Sequence, residues 1–121
     1  MNSNYNFVTG PAPNGGIELL YTRDCRWWQE TAANLVKSLK TLGIKDEPKL
    51  ICIDTMEQAE LYNFFASPTI HINGVDIDRH SRRTGKRGLG YGRPYRFNKQ
   101  TFLAPPVELI KQGIEELYFN Q

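Results

Sequence analysis

The chain has 121 residues, enough for one domain with a single core, and its 40% hydrophobic and 23% charged residues are ordinary for a globular protein. It contains no run of about 18 apolar residues, so no membrane-spanning helix is expected. Two cysteines, Cys25 and Cys52, are too few for a disulfide-stapled fold or a four-cysteine metal site, and the two histidines, His71 and His80, lack a metal-type spacing.

The N-terminal "MNSNYNFVTG" has neither a basic n-region nor an apolar h-region, so the cytoplasm is the expected location. The net charge of +2 conceals an asymmetry. Residues 79–99 hold eight Lys/Arg and no acid, whereas residues 1–78 hold six Lys/Arg against ten Asp/Glu.

Residues 1–16 are rich in Asn, Pro and Gly and read as a mobile tail, docked in part by Tyr5 and Phe7. The domain proper is expected over 17–121. "IELLYT" (17–22) reads as a buried strand. In "RWWQETAANLVKSLKTLG" (26–43), Trp28, Ala32, Leu35, Leu39 and Leu42 fall on one helical stripe, with Asp24 as a capping candidate and Gly43 as the stop. Trp28 should therefore be core, while Trp27 lies about 100° around the helix.

"KLICIDT" (49–55) reads as a strand buried on both faces and parallel to the first, with Cys52 as a small core residue. Thr55 and Gln58 form a capping box for a helix to about Phe65. "TIHI", "NG" and "VDI" (69–77) read as a hairpin with a type I′ turn. His71 should be partly buried and hydrogen-bonded, and Asp76 and Asp78 should lie on the hairpin surface. Residues 79–104 show no period and read as a long basic loop. Pro105 and Pro106 open a last helix whose buried stripe is Val107, Ile110, Ile114 and Leu117.

The predicted order is β-α-β-α-β-β-α, an α/β fold with a mixed central sheet and helices on both faces. Pro68 stands directly before a strand, where a residue without an N–H ends a ladder. Cys25 stands directly after the first strand.

These landmarks resemble the thioredoxin fold. "LLYTRDCRWW", "FFASPTIHINGVDID" and "GLGYGRPYRF", in that order, are similar to a family of small bacterial thioredoxin-like proteins, some of them grouped near mercury-resistance proteins. The resemblance implies a cis Ser67–Pro68 bond facing Cys25, with the Ser67 backbone open to an extended thiol substrate. Cys25 would be the nucleophile, and Ser67 and Pro68 would present the substrate backbone. Beside them Arg26, a cation next to the thiol, and Trp27, which either lines the site or covers the sheet edge, are the further substrate-site candidates. This chain departs from the family pattern. Arg26 replaces the proline after the cysteine, Trp28 stands at the resolving cysteine, and Tyr95 stands at the later one. One candidate thiol remains.

Two functions follow as expectations. In the first, Cys25, accessible at a helix N-terminus beside Arg23 and Arg26, attacks a disulfide or electrophile and is released by a second thiol. Its partner is then a thiol or disulfide substrate or a protein; glutathione enters only as a co-reductant, and neither a metal nor an organic cofactor has a recognisable site. In the second, the thiol is silent and the chain binds an anionic partner through residues 79–99, using Arg82, Arg83, Lys86, Arg87, Arg93 and Arg96. Arginines interleaved with Tyr91, Tyr95 and Phe97 also suit nucleic acid, for which weak and unselective binding is expected because no recognised motif accompanies the charge. "GLGYG" does not have phosphate-loop spacing.

Overall fold

The apolar run "IELLY" becomes β1 (Ile17–Tyr21), an inner strand of the main sheet in the computed structural model, which describes residues 15–119. The proposed tail falls largely outside the described residues, including Tyr5 and Phe7. The other elements are α1 (Trp28–Thr41), β2 (Lys49–Cys52), α2 (Met56–Leu61), β3 (Ala66–Ser67), β4 (Thr69–Ile72), β5 (Val75–Asp76), a 3-10 turn at Arg79–Ser81, β6 (Gly90–Tyr91), β7 (Tyr95–Phe97), β8 (Gln100–Phe102) and α3 (Val107–Leu117).

The main sheet runs β2-β1-β4-β5. β1 pairs in parallel with β2 and antiparallel with β4, and β4 pairs antiparallel with β5, so the sheet is mixed. Alternation along β1 sends Ile17 and Leu19 to one face and Glu18 and Leu20 to the other. On the first face Leu35 and Leu39 of α1 and Ile110 and Ile114 of α3 close a core with Ile70 and Ile72. On the second, Leu20, Ile51 and Ile53 pack with Ala59 of α2, Tyr62 and Phe64. Helices therefore cover both faces, as the sequence pattern implies.

The hairpin turn is type I′: Asn73 and Gly74 have φ of 52° and 81°, a pairing that Asn-Gly adopts at little cost. Thr55 and Gln58 make the expected capping box, although α2 ends at Leu61, short of Phe65. Gly113 lets α3 lie against the sheet, since a Cβ there would sit 2.7 Å from Cβ of Ile77.

Three readings of the elements are corrected. β2 is an edge strand, and its Lys49, Leu50 and Cys52 are only partly buried, because one neighbour covers a strand less completely than two. Asp24 does not cap α1; Trp27 occupies the N-cap without a side-chain bond. Residues 79–104 are not one structureless loop. They contain the 3-10 turn, β6 laid parallel against β3, and a β7–β8 hairpin. No helix among the described residues is long and apolar enough to cross a membrane.

Candidate functional site

Cys25 sits in the turn between β1 and α1, its N–H bonded to the Thr22 carbonyl at 3.2 Å. The Thr22 N–H donates to Ser67 Oγ at 3.1 Å, so this turn is tied to the residue before Pro68. The Ser67–Pro68 bond is cis. The chain thus brings Cys25, Ser67 and Pro68 into one neighbourhood.

The expected openness is overturned. Cys25 is 3% exposed, and α1 starts only at Trp28, so the thiol is not on a free helix N-terminus. The Arg23 guanidinium is spent on Asp54, with bonds of 3.0 and 3.2 Å, and Arg26 points into solvent. The Ser67 backbone is not open either. β6 pairs with β3, and the Arg93 N–H donates to the Ser67 carbonyl at 3.1 Å. Residues 88–93 therefore act as a strap laid along the edge that a substrate would use. Trp27 packs on this strap, its ring 3.5 Å from where a Cβ of Gly92 would be. Trp28 is half-buried rather than core and stacks on Tyr21, with centroids 4.3 Å apart.

Cys52 is the more exposed thiol, contrary to its reading as a core residue. Its Sγ donates to Asp54 Oδ1 at 3.5 Å. Burial, and then the bond to Asp54, push this thiol up from its ordinary value, so it stays protonated at neutral pH.

A row of polar side chains that the sequence reading missed crosses the second face of the sheet. Cross-strand register aligns Lys49 of β2, Glu18 of β1, His71 of β4 and Asp76 of β5. Glu18 is fully buried, His71 3% exposed and Asp76 6% exposed. Asp76 is not on the hairpin surface, as expected, but inside, because Arg93 grips both its oxygens at 2.8 and 2.9 Å. Arg93 also bonds Thr69 Oγ1 at 2.8 Å and lies over the rings of Phe65 and Tyr95. His71 is more buried than expected, and its Nδ1 has no hydrogen-bond partner. Burial pulls its pKa down and keeps the ring neutral. The available signals were the lone acid in "IELLYT" and the period-two placement of Asp76 opposite His71.

The six cations assigned to anion binding do not form one patch. Arg93 is internal, which removes it from the set. Arg82 bonds both oxygens of Glu116 at 2.6 and 3.2 Å, joined on that carboxylate by Arg79 at 2.8 Å. Arg96 bonds Thr101. Arg87 bonds only neutral acceptors, while Arg83 and Lys86 are exposed and make no ion pair among the described residues. Arg82 and Arg87, with His71, border a cavity of about 240 Å³. Tyr95 is fully buried and Phe97 half-buried, but Tyr91 is 58% exposed.

The Glu116 contacts give a pH test. Hydrogen bonds from Arg82 hold its carboxyl down at about 2, below the usual carboxylate value of about 4.3. A depressed carboxyl contributes stability above its unfolded value and loses it as pH falls through the folded one. Urea midpoints for the wild type should therefore fall between about pH 4.5 and 2 more steeply than those for Glu116→Gln.

Among the described residues no group of three or more His, Cys, Asp and Glu side chains is placed to hold a metal ion. No family model matches the chain, and neither a curated protein nor a solved structure matches it either. The family likeness therefore rests on the quoted motifs.

Proposed function

We propose that the chain is a thioredoxin-like module with a silent thiol that binds an anionic partner through the segment following β5. The element order and the placement of Cys25 and Pro68 support the thioredoxin-like reading. One observation carries the choice of binding over thiol exchange: Cys25 is buried, and the Ser67 edge is taken by the chain's own strap. A thiol must reach its disulfide in line to exchange with it, and access controls that step. The cations left for a partner centre on residues 83–87.

The test is thiol labelling of the native chain, read by peptide mass. Cys52 should be alkylated first, with Cys25 lagging at least about tenfold because it waits for an opening of the fold. The chain should not accelerate reduction of insulin disulfides beyond what the reductant achieves alone. A Cys25 that forms a mixed disulfide faster than Cys52 would replace this reading with a single-cysteine exchange enzyme, in which Trp27, Ser67 and Pro68 form the substrate edge once the strap lifts.

A further inference from the structure

The cavity of about 240 Å³ beside His71 lies between the end of α2, the β4–β5 hairpin and the turn that follows it. Its volume equals that of about eight waters at about 30 Å³ each. Phe65 and Val75 supply apolar wall, and Asn63, Thr84, His71 and Arg87 supply polar groups.

The charges on this wall are matched except for one. Asp76 is held by Arg93, and Arg82 by Glu116. Arg87 alone has no carboxylate among the described residues. Its Nη1 donates to the carbonyls of Thr84 and Lys86 at 3.4 and 2.7 Å, and its Nη2 donates to Asn63 Oδ1 at 2.8 Å. A guanidinium has five N–H donors. By count, the Nε–H and one Nη2–H of Arg87 therefore remain, two donors for a two-oxygen acceptor.

Neighbouring groups are arranged to donate. Asn63 Oδ1 is taken by Arg87, which leaves its amide N–H groups free. Thr84 Oγ1 accepts from the Lys86 N–H and keeps its own proton to give. His71 brings a neutral ring whose buried Nδ1 has no partner. A polar group left so deep without a bond is costly, and His71 is one of the residues that line the cavity.

We propose that this cavity binds a small monocarboxylate with an apolar body, its carboxylate on the remaining donors of Arg87 and its body against Phe65 and Val75. One uncompensated guanidinium matches one negative charge, and Phe65 and Val75, the two apolar side chains in a mostly polar lining, give an organic acid a contact that inorganic phosphate lacks. The inference rests on the binding-module reading and names the ligand class and the place.

Amide NMR on the full chain tests it, with benzoate, benzyl alcohol and inorganic phosphate as probes. Benzoate should shift the signals of Asn63, His71, Thr84 and Arg87 saturably. Arg87→Gln should weaken binding at least about tenfold, because hydrogen bonds to a charged group are lost. Lys45→Gln, at an exposed cation that does not line the cavity, should leave it unchanged. An otherwise native spectrum for Arg87→Gln shows that the variant folds, and Arg87→Lys supplies the charge without the fork if it does not. The proposal fails if benzoate shifts no cavity residue, if benzyl alcohol binds as well, if phosphate binds more tightly, or if Arg87→Gln and Arg87→Lys both bind like the wild type. Failure here leaves the labelling order of the cysteines untouched. Thiol turnover at Cys25 would overturn the module reading without moving these shifts.

Discussion

Replacing Arg93 with methionine will lower the stability of the fold by about 3–5 kcal/mol, the usual cost of breaking a buried ion pair by removing one partner. The side chains of Arg93 and Asp76 are 1% and 6% exposed. Without the guanidinium, the Asp76 carboxylate keeps its burial and its bond from the Asp78 N–H but loses both bonds from Arg93, and Thr69 Oγ1 loses a donor as well. The same change loosens the strap, because the Arg93 main chain is bonded to Ser67. Cys25 should then be alkylated faster than in the wild type. Urea unfolding gives the first quantity and peptide mass the second. Arg83→Met, at an exposed site in the same segment, should shift stability by no more than about 0.5 kcal/mol. A loss below about 1 kcal/mol for Arg93→Met would mean that the pair does not carry the segment.

Tyr95→Ala should cost about 3–5 kcal/mol, the range for truncating a buried aromatic. Tyr95 is fully buried, its ring lies 4.4 Å under the Arg93 guanidinium, and its hydroxyl donates to the Pro68 carbonyl. Burial pushes the phenol far above its ordinary value, so it remains a donor at any working pH. Tyr95→Phe isolates the hydroxyl and should cost about 1–3 kcal/mol, the penalty for a buried acceptor left unbonded. Because Arg93 and Tyr95 touch, the double variant should fall short of the sum of the two single losses. Strict additivity in denaturant midpoints would show that the two side chains act independently.

What could be read from the sequence was whatever depends on neighbours in the chain. The stripe of α1, the capping box at Thr55 and Gln58, the Asn73–Gly74 turn and the stripe of α3 each lie within a single helix or turn. The corrections involve partners far apart. Asp76 looks like surface until Arg93, 17 residues on, closes over it. Cys25 looks like an open helix start, yet it is buried, and the Ser67 edge tied to its turn is taken by a strap more than 60 residues later. "IELLYT" reads as a buried strand, but that Glu18 lies in a cross-strand row with Lys49, His71 and Asp76 depends on the register of four strands. Cys52 looks like core because four apolar residues in a row suit a central strand, yet edge or centre is a property of the sheet and not of the run. The basic segment looks like a charged patch until its partners are known: three of its arginines serve Glu116 and Asp76, acids outside the segment.

The strap is held by very little regular structure. β3 and β6 share two register pairs, bracketed by the Gly88 N–H on the Phe64 carbonyl at 3.3 Å and the Arg93 N–H on the Ser67 carbonyl at 3.1 Å. Leu89 and Tyr91 on it face solvent. Such a unit opens at lower free energy than the strands beneath it. The amide protons of Gly88 and Arg93 should therefore exchange with solvent through one shared local excursion, ahead of those of β1 and β4. The Ser67 edge is then open to a second chain for just the fraction of time in which two short strands stand apart.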